Sequence, residues 1–170
     1  MEANIVKSEH SSYNTRTDDF GNLWVSNMEN TLFYAPANHT KYQIDDKFEF
    51  QSTANAFGQA LGLERLQELE DKKERLSTSF WLSFDGKIKE VDFLTAADST
   101  IDINEFEAME TALKSILSFN ITWLEEPSNS DFAGISRSVS FDLIIKILKG
   151  HHIFQTKITQ VTLSPPPPLL

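Results

Sequence analysis

Residues Asp98-Ser99-Thr100-Ile101-Asp102-Ile103-Asn104-Glu105-Phe106 carry the acidic spacing of the second half of an EF-hand loop. With Glu105 as the final bidentate ligand, Ile101 and Asp102 fall on expected positions. The first and third positions then fall on Leu94 and Ala96, and the required glycine on Ser99. Two carboxylates and the turn glycine are missing, so this route to calcium fails. The stretch reads instead as a helix start, with acids near the positive end of the helix dipole.

His151-His152 is the only histidine cluster, and it reads as a solvated loop because adjacent side chains are poor joint ligands. His10 and His39 lie in polar segments without evident partners. The absence of cysteine excludes disulfides, thiol catalysis and thiolate metal sites. Gly134-Ile135-Ser136-Arg137-Ser138 lacks the second glycine of a nucleophile elbow and sits within a strand pattern. There is no glycine-rich phosphate loop and no His-Glu-x-x-His helix. The acidic pairs Asp18-Asp19, Asp45-Asp46 and Glu125-Glu126 are sequence neighbours. Such side chains point apart, whereas paired catalytic carboxylates must face one substrate. The residues therefore predict no cofactor, no metal and no enzyme.

The 170 residues suffice for one domain or two small ones. Hydrophobic residues make up 40 % of the chain, and 13 Phe and 3 Trp are enough for a core. No apolar run approaches the roughly 20 residues that cross a bilayer. The N-terminus has neither a basic nor an apolar signal region. A chain beginning after a removed signal reads the same way, so export stays open. The net charge of −10 argues against nucleic acid and anionic membranes, which need a basic footprint.

The elements that would position any site follow from periodicity. Residues 1–20 are polar and aperiodic, which predicts a flexible segment. Residues 21–76 predict a small α+β region. Its strand candidates are Leu23 to Val25, Thr31 to Tyr34 and Lys41 to Phe50. Its helix lies within Asn55 to Arg75, secure from Leu63, since Gly58 and Gly62 weaken the earlier part. Residues 77–148 predict a β-β-α-β unit. Phe80, Leu82 and Phe84 alternate with Ser79, Trp81 and Ser83, and Asp85-Gly86 predicts a two-residue hairpin turn. Val91 and Phe93 share a face, whereas Ile88 has the opposite parity, which predicts a bulge. Phe106, Met109, Leu113, Ile116 and Leu117 form a helical stripe capped by Asp102 or Asn104. Phe119 to Leu124 predicts a short strand. Gly134 to Lys146 predicts one long strand, with Ile135, Val139, Phe141, Leu143 and Ile145 on one parity and Ser136, Ser138, Ser140, Asp142 and Lys146 on the other. Arg137 intrudes on its apolar side. Residues 149–170 form a C-terminal extension with a weak strand signal at Ile158, Val161 and Leu163 and a polyproline tail from Pro165.

Phe80 to Phe93, Asn104 to Leu117 with Phe119, and Ser138 to Leu143 together resemble the TonB C-terminal domain family across residues 79–146. The resemblance implies an α+β fold, a small antiparallel sheet packed against one or two helices. It also implies an exposed strand edge that accepts a peptide strand, here Ser136, Arg137, Ser138, Ser140 and Asp142. Unpaired backbone groups on such an edge gain partners from the added strand. The chain departs from the family at Ser115 to Ile121, where a basic and aromatic stretch is usual. No membrane helix or long proline spacer precedes the unit. The reading that follows is a non-enzymatic, periplasmic or secreted, envelope-associated protein with a protein or peptide partner. The alternative is a cytoplasmic acidic inhibitor of the immunity type, bound to a basic partner. An enzyme built from dispersed carboxylates ranks last.

Overall fold

The computed structural model describes residues 3–32, 41–45 and 50–151. Eight strands are described: β1 (Ala3–Lys7), β2 (Ser12–Thr17), β3 (Asn22–Asn27), β4 (Tyr42–Ile44), β5 (Leu76–Ser83), β6 (Ile88–Ala96), β7 (Ile121–Trp123) and β8 (Phe132–Val139). Three helices join them: α1 (Phe50–Asp71), α2 (Ile103–Ile116) and α3 (Phe141–Leu148). The fold is α+β. Six strands form one antiparallel sheet in the order β1-β2-β3-β6-β5-β8, while β4 and β7 form a separate two-stranded ribbon.

Alternation decides which sheet face is buried. Val25, Phe80, Leu82, Val91, Phe93 and Ala133 point to the helices and are buried. They meet Phe57, Leu66 and Leu69 of α1, Phe106, Met109 and Leu113 of α2, and Phe141, Ile144 and Ile145 of α3. The α2 stripe lies where its periodicity places it. Asp102 caps the helix in a capping box with Glu105. Asp102 and Glu105 of the EF-hand-like stretch are thus used by the helix start. Leu113 is fully buried at this junction. Leu113→Ala is expected to cost roughly 2–5 kcal/mol through the cavity it leaves. A thermal melt matching wild type would remove α2 from the core.

Several expectations are corrected. Residues 1–20 hold two strands, β1 and β2, because β3 offers β2 a partner edge. Tyr13, buried on β2, anchors them. The boundary near residue 76 does not separate two folding regions, since β3 pairs directly with β6. α1 begins at Phe50, well before Leu63, and Gly62 (φ 75°, ψ 160°) kinks it. Leu63, beside the kink, is exposed. Gly58 is a packing position: a Cβ there would lie 3.0 Å from Leu148, where α3 crosses α1. Thr31 and Leu32 are not strand; of the Lys41 to Phe50 candidate, Tyr42–Ile44 forms β4, Phe50 opens α1, and residues 46–49 lie outside the described residues. Phe33, Tyr34, Asp46, His39, His152, Ile158, Val161, Leu163 and the polyproline tail lie outside the described residues.

The long final strand splits into β8 and α3. Ser140 is the helix N-cap, accepting from the Leu143 N–H at 3.3 Å, and Asp142 pairs with Lys146 one turn on at 2.7 Å. Phe141, Ile144, Ile145 and Leu148 recur at helical spacing, so this apolar stretch satisfies two periods. The helical one buries Phe141, Ile144 and Ile145 against α1.

The β5–β6 hairpin also differs from expectation. Ser83 N–H donates to Lys87 O at 2.8 Å, and Gly86 N–H to Ser83 O at 2.8 Å. These bonds close a three-residue loop with Gly86 in the left-handed region. The bulge expected near Ile88 is present, with Leu82 opposite Ile88 and Trp81 opposite Glu90.

Candidate functional site

β8 ends the sheet order, with β5 on one side and no strand of the main sheet on the other among the described residues. Ser136, Arg137 and Ser138 lie on it, opposite Ser79, Thr78 and Ser77 of β5. Ser140 and Asp142 do not; they belong to the cap and first turn of α3. Of the five expected residues, three thus lie on the β8 edge strand and two at the start of α3.

The direction of the β8 backbone groups can be read from their partners. Gly134 N–H donates to the Tyr42 hydroxyl at 3.0 Å, and that hydroxyl lies 3.4 Å from Gly134 O. Arg137 Nη1 donates to Ser136 O at 3.0 Å. The backbone of Gly134 and Ser136 thus faces away from β5. Alternate residues of an antiparallel strand share one direction, so Ser138 faces outward as well. Ser136 Oγ and Ser79 Oγ meet at 2.8 Å on the sheet face away from the helices. A Cβ on Gly134 would lie 3.0 Å from the Trp81 ring, so glycine here lets that indole lie across the strand.

The Tyr42 ring meets Trp123 edge to face at 5.3 Å, where β4 pairs with β7. Trp123 Nε1 donates to Phe84 O at 2.8 Å, and Phe119 N–H donates to Gly86 O at 2.9 Å. The tip of the β5–β6 hairpin thereby holds the segment that carries the β4–β7 ribbon against the β8 edge.

Three buried carboxylates were not foreseen from sequence. Glu110 of α2 accepts from the Tyr13 hydroxyl at 2.6 Å, Asn27 Nδ2 at 3.2 Å and Lys114 Nζ at 2.5 Å. Burial, reinforced by Glu110, pushes the Tyr13 hydroxyl well above the ordinary tyrosine range. Asp92 accepts from Ser26 Oγ, from Asn30 Nδ2 at 3.0 Å and from the Trp81 indole at 2.9 Å. Glu90 accepts from the N–H groups of Thr31 and Leu32, each at 2.9 Å. Each is fastened by donors, the pattern of a structural tie that satisfies a buried charge. Their signal in the sequence was an acid flanked by strand or helix residues that bury their neighbours.

At the β2–β3 turn, Asp18 accepts from the N–H groups of Phe20 and Asn22, both at 2.9 Å, and from Asn22 Nδ2, also at 2.9 Å. The Asn22 side chain, then its backbone N–H, hold Asp18 below the usual carboxylate range. This organised turn presents Phe20, which is 90 % exposed.

His10, expected without a partner, has one. Its backbone N–H donates to Glu107 at 3.1 Å and its Nδ1 lies 3.5 Å from the same carboxylate. His151 is exposed. No group of three metal-ligating side chains converges among the described residues. A shallow open cleft of about 550 Å³ between the second half of α1 and Lys149 is lined by Leu63, Glu64, Gln67, Glu68 and Asp71. No described helix is long and apolar enough to cross a membrane.

The architecture is that of an α+β domain in which helices cover one face of an antiparallel sheet. It is similar to the crystal structure of a DUF5043 family protein from Bacteroides uniformis, with a TM-score of 0.60 and 17 % identity over 81 % of this chain and 90 % of that one. No protein-family model and no curated protein matches the sequence.

Proposed function

We propose that this is a non-enzymatic, exported or envelope-associated protein that binds a protein or peptide partner by strand addition at β8. The observation that carries the reading is the outward direction of the Ser136 and Ser138 backbone at the end of the sheet. An extended segment laid against this edge gains main-chain hydrogen bonds, and the polar serine face keeps the edge soluble when unpaired. Ser138→Pro tests it. Proline removes an outward donor and leaves the β5–β8 ladder its inward bonds. A library of random displayed peptides is expected to enrich extended sequences on wild type that the variant no longer holds. Peptides retained equally by both proteins, or no enrichment at all, would overturn the reading.

The Phe20 turn favours a second reading, an acidic inhibitor of a basic partner. A rigid loop offering one exposed aromatic beside Asp18 and Asp19, on a chain of net charge −10, suits an apolar pocket with a basic rim. Binding that collapses in moderate salt and ignores Ser138→Pro would place the partner there.

A further inference from the structure

A strand edge that pairs with a partner also pairs with copies of itself, and proteins usually blunt such edges. Here the blunting is local and has an identifiable source. One hydroxyl, on Tyr42, engages both the N–H and the C=O of Gly134. It comes from the short β4–β7 ribbon and not from the main sheet. At Ser136 and Ser138 no tyrosine of this kind reaches the edge among the described residues. Arg137 Nη1 donates to the Ser136 carbonyl from the edge strand itself.

We propose that Tyr42 is a gate on the β8 edge. While its hydroxyl is seated, an added strand is confined to Ser136–Val139. When it withdraws, the edge opens back through Gly134 and accepts a longer strand. The inference rests on the strand-addition reading and adds a limit on register and length. The ribbon suits this role physically. β4 is three residues long and, among the described residues, pairs with β7, also three residues long. Such a ribbon has little stability of its own. Its seat depends on the Tyr42–Trp123 contact and on the Trp123 bond to Phe84 O.

Tyr42→Phe keeps the ring and its contact with Trp123 and removes only the hydroxyl. Loss of that bond is expected to speed amide exchange at Gly134 roughly tenfold, with the β5–β6 pairs unchanged. At sub-millimolar concentration the variant is expected to form a dimer in sedimentation velocity, a second copy serving as the added strand. Wild type should remain a monomer, and so should Tyr42→Phe combined with Ser138→Pro. Unchanged exchange at Gly134, faster exchange in a variant that stays monomeric, or a wild type that already pairs through β8 would each overturn the gate. None of these measurements uses a peptide. A wild type that captures no peptide while Tyr42→Phe pairs through β8 would therefore sink the proposed function and leave the gate standing.

Discussion

Gly86→Val is expected to destabilise the protein by about 4 kcal/mol or more, among the largest effects a single substitution produces. Two costs combine. Gly86 has φ +83°, a conformation that costs a residue with a Cβ roughly 1–2 kcal/mol. A Cβ there would also sit 1.8 Å from the backbone oxygen of Phe119. That atom cannot rotate away as a side-chain tip can. Relief requires moving residues 118–119, which breaks the Phe119 N–H bond to Gly86 O and the bridge between Lys87 and Ser118. For a chain of this size the loss lowers the melting midpoint by roughly 8–16 °C. Gly21 supplies the control. Its φ of +77° is similar, but no atom lies within 4 Å of its added Cβ. Gly21→Ala should therefore show the conformational cost alone, about 1 kcal/mol. Equal losses at the two positions would mean that the close approach at Phe119 contributes nothing.

The same glycine shows what the sequence made legible and what it did not. Asp85-Gly86 between two alternating runs announced a hairpin, because positive φ is a local property. The contact with Phe119, which makes Gly86 hard to replace, joins residues distant in sequence and has no local signature. α3 failed for a different reason. Residues 139–145 satisfy period two and residues 141–148 satisfy period 3.6, so periodicity alone could not choose. The capping serine at Ser140 and the Asp142–Lys146 pair were the available signals for a helix. β1 and β2 were missed because their strand character is borrowed from pairing. β1 buries no residue, and β2 buries only Tyr13. For the candidate site, the strand character of residues 134–139 was legible in its alternation, and β8 ends the sheet order among the described residues. The Tyr42 contact was not legible, because it depends on a ribbon whose two strands lie far apart in the chain.

Glu110→Ala is expected to be the second large loss, roughly 3–5 kcal/mol, the range for removing one partner of a buried charged contact. The carboxylate is almost fully enclosed and holds three donors at once. Truncation leaves the Tyr13 hydroxyl buried without its acceptor and frees Asn27 and Lys114 from theirs. An unmet buried donor costs more than a satisfied bond gains, so the sum exceeds three ordinary hydrogen bonds lost to water. The effect should concentrate at the β1–β2 end of the sheet, because Tyr13 is the residue β2 buries against α2. Amides of Tyr13 to Thr17 should exchange faster in the variant, while those of Phe80 and Leu82 follow global stability. Tyr13 supplies an independent readout in alkali. Its hydroxyl stays protonated in the fold, whereas the unfolded chain ionises near the usual tyrosine value of about 10. Above that pH the unfolded state binds fewer protons than the native one. The stability from this group is thus complete below pH 10 and declines as pH rises further. Tyr13→Phe should lack that share of the alkaline decline. If wild type and Tyr13→Phe lose stability in parallel above pH 10, the Tyr13–Glu110 contact is not what ties the N-terminal hairpin to the helical layer.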